Sequence, residues 1–118
     1  MSEAQARKRS ERARDLTAFQ QTILAILAEE PRYGLAVKRE LEDFYGEEVN
    51  HGRLYPNLDD LVSMGLVEKS ELDKRTNQYE LTEEGLAAVT DLLGWLVERY
   101  ATDQDRADTV RELVESAD

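Results

Sequence analysis

The run Asn50-His51-Gly52-Arg53-Leu54-Tyr55-Pro56-Asn57-Leu58, followed by Met64-Gly65-Leu66-Val67-Glu68-Lys69 and by Gln78-Tyr79-Glu80-Leu81-Thr82-Glu83-Glu84-Gly85, decides the fold. In the first run Leu54, Leu58, Leu61 and Val62 fall within about 100° of arc on a helix, and Asn50 is suited to cap it. Arg53 points away from that arc, with Asn50 and Asn57 on the flank between. Gly65 stops the helix. Leu66 to Leu72 and Gln78 to Leu81 then alternate as strands do, around the turn-rich and partly basic Asp73-Lys74-Arg75-Thr76-Asn77. Thr82 caps a further helix, with Glu83 and Glu84 in its first turn, where the helix dipole favours negative charge. Helix, hairpin, helix is the layout of a winged helix-turn-helix, a mainly α fold with a small β-hairpin that sets one helix in a DNA groove and a wing beside it.

Upstream, Leu16, Phe19, Ile23, Ile26 and Leu27 have helical spacing and Pro31 lies beyond them, which predicts a first core helix. After a Tyr33-Gly34 turn, Leu35, Val37, Leu41, Phe44 and Tyr45 predict a second amphipathic helix, closed by a left-handed Gly46. Downstream, steps of seven from Leu86 reach Leu93, Tyr100, Ala107 and Val114, and steps of seven from Val89 reach Leu96, Asp103, Val110 and Ala117. Asp103 alone cannot pack, and Thr102 beside it is a candidate N-cap, so two helices are expected in place of one rod. The stripe runs past the winged core. It is therefore expected to pair two copies through Leu86, Val89, Leu93, Leu96, Tyr100, Val110 and Val114, the alternative being packing on its own core. The expected division is a basic arm over 1–14, a winged helix-turn-helix DNA-binding domain over 15–85 and C-terminal dimerisation helices over 86–118.

The 118 residues suffice for one compact core. Twenty-six acidic residues against 15 basic ones give a net charge of minus 11, the wrong sign for a simple DNA binder. Only Lys8, Lys38, Lys69 and Lys74 are lysines; every other cation is arginine. An acidic, lysine-poor surface suits a cell interior at molar salt, where the Debye length is roughly 3 Å and neighbouring carboxylates are screened. The alternative is an acidic protein that binds other proteins. Met1 to Arg14 stand apart: Arg7, Lys8, Arg9, Arg12 and Arg14 outweigh Glu3 and Glu11 by three charges. Such an arm is either a tether to a polyanion or a solvated terminus. The chain has no cysteine, which excludes disulfides, thiol redox switching and thiolate metal sites. It has no apolar run of the roughly 20 residues that cross a bilayer and opens on polar residues, so a cytoplasmic protein without membrane partners is expected.

Arg53 has the chemistry to make a bidentate contact with guanine, to clamp a phosphate, or to form a surface salt bridge. Asn57 would read adenine or be hydrated; Tyr55 would offer its hydroxyl to phosphate or pack its ring. Gly52 allows close backbone approach, and Pro56 withholds an amide inside the helix. On the wing, Lys69, Lys74 and Arg75 would add phosphate contacts without sequence information, or only keep a hairpin tip soluble. His51, the one histidine, lacks companions for a metal site and reads as a hydrogen-bonding residue at the helix start, near phosphate. No Gly-rich phosphate loop, nucleophile elbow or metal-ligand spacing occurs, so neither catalysis nor a cofactor is expected.

Tyr33-Gly34-Leu35, Gly52-Arg53-Leu54-Tyr55-Pro56-Asn57-Leu58, Met64-Gly65-Leu66-Val67-Glu68 and Tyr79-Glu80-Leu81-Thr82-Glu83-Glu84-Gly85 together resemble the PadR-like transcriptional regulators, over about Phe19 to Leu93. That resemblance implies a homodimer joined by its C-terminal helices on double-stranded promoter DNA. It places Asn50 to Asn57 in the major groove and the wing from Lys69 to Asn77 near the minor groove. The wing is less basic than is usual in the family, and the arm before Asp15 is not a general family feature. The acidic composition and short C-terminal part are most similar to haloarchaeal members, which implies a part in the oxidative-stress response. From its charge alone, an acidic protein on DNA is expected to hold potassium or other salt cations between its carboxylates and the phosphates. Two rivals remain: a winged-helix protein-protein interaction module, and a switch with a ligand pocket between the dimer helix and the winged core.

Overall fold

The computed structural model describes residues 11–73 and 75–117. A short 3-10 helix, Glu11–Asp15, leads to α1 (Ala18–Glu29), β1 (Arg32–Tyr33), α2 (Gly34–Tyr45), α3 (His51–Ser63), β2 (Val67–Asp73), β3 (Thr76–Leu81), α4 (Glu83–Tyr100) and α5 (Gln104–Ser116). Five helices surround one small antiparallel sheet of order β1-β3-β2, a winged helix-turn-helix with a helical extension.

Local chemistry explains most boundaries. A capping box starts α1: the Gln20 amide donates to Thr17 Oγ1 (3.2 Å) and the Thr17 amide to Gln20 Oε1 (3.4 Å). The helix thus begins after Leu16, and it buries Leu24 along with Phe19, Ile23 and Leu27. Gly46 ends α2 at φ 71°, its amide donating to the Glu42 carbonyl. α3 buries Leu54, Leu58 and Leu61, the arc read from the sequence. The hairpin β2–β3 pairs Val67 with Leu81 and Lys69 with Tyr79, and an irregularity between Glu71 and Asp73 twists its tip. Thr82 caps α4 by accepting from the Gly85 amide (3.0 Å), and its hydroxyl donates to the Gly65 carbonyl (2.7 Å). Gly85 lies so close to the strand entrance that a Cβ there would collide with the Leu66 carbonyl oxygen. The wing and α4 are thereby locked to the end of α3.

Several expectations are corrected. A third strand exists: Arg32 pairs with Tyr79 and Tyr33 with Gln78, where only a turn was expected, because two residues are too few to show alternation. Leu35 and Phe44, read into the apolar face of the second helix, are exposed, Phe44 by 67%; the buried residues of α2 are Gly34, Val37 and Leu41. The break in the C-terminal stripe occurs as expected, but Asp103, not Thr102, caps α5 by accepting from the Arg106 amide (2.9 Å).

The core centres on α1, with Ile23 and Leu24 fully enclosed and Leu41, Leu54, Leu58, Leu61, Leu66 and Tyr79 around them. The 3-10 helix closes one side against α4, burying Ala13, and Arg14 forms a forked ion pair with Asp91 (2.9 and 3.1 Å). Ala13 and Arg14, expected to belong to a basic arm over 1–14, therefore pack on the body. No described helix is long and apolar enough to cross a membrane.

Candidate nucleic-acid interface

The surface shared by α3, the start of α2 and the wing collects most of the candidate residues. Asn50 sits in extended backbone and accepts from the Arg53 amide through Oδ1 (2.8 Å), so its side chain begins α3 and that oxygen is engaged. His51 and Gly52 follow, exposed. A Cβ on Gly52 would meet only Asn50 Oδ1, at 3.4 Å, so no protein neighbour demands glycine there. What it leaves is bare backbone on the outer face. Pro56 stays within a continuous helix although it cannot donate to the Gly52 carbonyl one turn back.

Tyr55 packs its ring, the second of its two readings. It stacks on His51 with centroids 5.5 Å apart and planes 14° apart, and it closes over the start of α2. There Gly34 leaves room for the tyrosine: a Cβ would approach the Tyr55 hydroxyl to 2.8 Å and its ring to 3.0 Å, so the ring would have to shift. The Tyr33-Gly34 pair thus serves strand β1 with one residue and the fit of α3 on α2 with the other.

Arg53 is exposed and leans sideways across α1. Its guanidinium carbon lies 4.0 Å from the centroid of the Phe19 ring and 5.7 Å from that of Tyr45. Among the described residues its nitrogens have no ion-pair or hydrogen-bond partner, so the surface salt bridge weighed for it from the sequence does not form. Asn57 is tied within the protein. Its Oδ1 accepts from Gln20 Nε2 (3.1 Å) and its Nδ2 donates to the Arg53 carbonyl (2.7 Å), which leaves one acceptor lone pair and one N–H of the amide for any base contact.

On the wing, Lys69 reaches Asp59 of α3 at 3.8 Å, a loose bridge that leaves the ammonium accessible. Arg75 is exposed at the hairpin tip, where its amide donates to Asp73 Oδ1 (2.8 Å). That bond and the Thr76 hydroxyl hold the Asp73 carboxyl below the usual aspartate range. Lys74 and the arm residues Arg7, Lys8 and Arg9 lie outside the described residues. Arg12 is in the 3-10 helix and Arg14 is committed to Asp91. A residue not singled out from the sequence joins the set: Arg39 of α2 lines, with Arg75, Tyr33 and Tyr55, a cleft of about 410 Å³ between α2 and the wing. Its sequence signal was only that it falls opposite Val37 and Leu41 on the helix.

The turn into α3 has its own clasp. Glu42 accepts from Lys38 Nζ (2.8 Å) and from the amide of buried Val49 (3.0 Å), and these bonds, the lysine first, lower its pKa. At the far end of the molecule, Leu86, Leu93, Leu96 and Tyr100 line an exposed apolar face of α4, and Val114 extends it on α5. Val110 is half-buried. Val89, also expected on this face, is half-buried against the chain's own core with Leu92. Trp95 and Leu113 are exposed and apolar and fell outside the sevenfold count.

The sequence profile of the transcriptional regulator PadR-like family matches residues 23–91. No curated protein matches the chain. Among solved structures, RosR of Halobacterium salinarum grown from NaBr is 66% identical, covering 89% of this chain and 96% of that one, with a TM-score of 0.87. The complex structure of hsRosR-S4 is 63% identical over 92% of this chain and 95% of that one, at 0.89. A PadR-like transcription factor from Bacteroides fragilis shares the fold at 20% identity, covering 95% of this chain and 99% of that one, at 0.63.

Proposed function

The chain belongs to the transcriptional regulator PadR-like family, and from that premise we propose that it acts as a homodimer that reads a specific double-stranded promoter sequence at high salt. It is a transcription regulator and not an enzyme. The observation that carries the finer reading is Arg53: an exposed guanidinium on α3, with no carboxylate partner among the described residues, in a chain of net charge minus 11. On this reading Arg53 contacts bases, the backbone at His51 and Gly52 approaches the groove, and Lys69, Lys74, Arg75 and the arm meet phosphates. The division into arm, winged domain and dimerisation helices is part of the same proposal, with the arm shortened to the residues before Glu11.

Homodimerisation is supported by the apolar face of Leu86, Leu93, Leu96 and Tyr100, which α5 does not cover: no residue of α5 is buried. Potassium ions between carboxylates and phosphates would reconcile the acidic body with DNA. A part in the oxidative-stress response rests on the resemblance alone, and without cysteine it would have no thiol route. The test is fluorescence anisotropy with promoter fragments in molar potassium chloride against excess random DNA. Competitor-resistant binding is expected. Binding that random DNA abolishes would favour the rival reading, a winged-helix module whose α3 meets a protein.

A further inference from the structure

We propose that Phe19 is a positioning residue for DNA reading: its ring is the platform that holds the Arg53 guanidinium, edge outward, in the orientation in which it meets a base. The inference rests on the reading of α3 as the DNA-reading helix.

The two residues come from different helices and from opposite environments. Phe19 is 4% exposed, yet one face of its ring lies under the guanidinium carbon of exposed Arg53 at 4.0 Å. Tyr45 flanks the pair, its ring centroid 6.0 Å from that of Phe19 and inclined by only 21°, and 5.7 Å from the guanidinium. An arginine over an aromatic face is held by the ring quadrupole through the flat side of the cation. The N–H bonds lie in the plane of the guanidinium, so a guanidinium held flat on the ring would keep its forked edge available for bidentate recognition.

The adjacent residue of α1 acts on the same stretch of α3. Gln20, 8% exposed, donates to Asn57, and Asn57 donates to the Arg53 carbonyl. The backbone of Arg53 is thus fixed from one side by the Asn57 link and its side chain from the other by Phe19. Gln20 itself is fixed by the capping box with Thr17. A long, flexible side chain held this way in the free protein has less freedom to lose on binding, which raises affinity without adding a contact.

The test is a double-mutant cycle of Phe19→Leu and Arg53→Ala. The probe is the tightest duplex that the wild-type protein selects from a randomised pool, with a scrambled duplex of the same composition as reference. Phe19→Leu keeps an apolar side chain in the core and removes the ring. It should weaken binding to the selected duplex by roughly two- to five-fold per recognition helix, while leaving the scrambled duplex unaffected. In the Arg53→Ala background the same change should have no effect, and Phe19→Tyr should restore most of the loss. If Arg53→Ala binds as tightly as wild type, the base-reading role of Arg53 fails and the inference with it. If Arg53→Ala weakens binding but Phe19→Leu does not, or weakens it equally with and without Arg53, the platform alone is refuted. A second measurement covers poor folding of Phe19→Leu: in wild-type protein the Arg53 δ-methylene protons should resonate upfield through the ring current of Phe19. Ordinary shifts there would overturn the proposal.

Discussion

Arg53 and Asn57 stand one helical turn apart, and the structure gives them different work. Among the described residues the Arg53 guanidinium has no hydrogen-bond partner, whereas each end of the Asn57 amide already has one inside the protein. Arg53→Ala should therefore lose roughly 1 to 3 kcal/mol of binding to a selected operator and little to random DNA, as a titration with each would show. A loss of equal size on every sequence would instead mark a phosphate contact. Asn57→Ala should behave in the opposite way. It strands the amide of nearly buried Gln20, so it should lower folding stability by about 1 to 2 kcal/mol in urea denaturation. Stability unchanged by Asn57→Ala would show that water replaces the link. Sequence spacing placed Arg53 away from the core arc and Asn57 on the flank. It had no means of showing that one was tied to Gln20, because the partner lies 37 residues away and on another helix.

At the scale of elements, the connection from α2 into α3 depends on a carboxylate. Glu42 bridges Lys38 and the Val49 amide, and its folded pKa lies below its ordinary value because both donors favour the charged form. A carboxyl group depressed in this way contributes stability above its unfolded pKa and loses that contribution as pH falls through the folded value. The melting temperature of wild type should therefore exceed that of Glu42→Gln at neutral pH, and the two should converge in acid. A gap that persisted in acid would mean that shape, not charge, makes the clasp. Elements whose signal is local were legible: the Asn50 and Thr82 caps, the Gly46 stop, the arc of Leu54, Leu58 and Leu61, and the hairpin around Asp73 to Asn77. Those defined by distant partners were not. β1 exists only through its pairing with β3, the 3-10 helix only through its docking on α4, and Leu35 and Phe44, half a turn apart around α2, are both left exposed among the described residues. Arg39 was missed for the same reason, since the cleft it lines is formed by the fold.

For the whole molecule, the proposed dimer and the proposed salt response are linked, since two acidic bodies must approach each other and then DNA. Changing Leu93 and Leu96 together to glutamate should give monomers by light scattering and much weaker operator binding; an intact dimer would refute the assignment of that face. The salt response follows from counting ions. Ordinarily each phosphate neutralised by a lysine or arginine releases a counterion, so affinity falls steeply as salt rises. Here the described cations on or near α3 are few, Arg53, Lys69, Arg75 and Arg39, and α3 itself carries the exposed Asp59 and Asp60, the first 3.8 Å from Lys69. Closing such a surface on phosphates brings like charges together. If potassium ions enter between them as the complex forms, ion uptake opposes ion release and the slope of log affinity against log salt flattens or turns positive. Operator affinity should accordingly hold or rise as potassium chloride is raised towards molar concentration, and replacing Asp59 and Asp60 with asparagine should shift the slope towards the usual negative value. A steep fall for the wild-type protein would leave sequence reading by α3 standing and remove the cations from the interface.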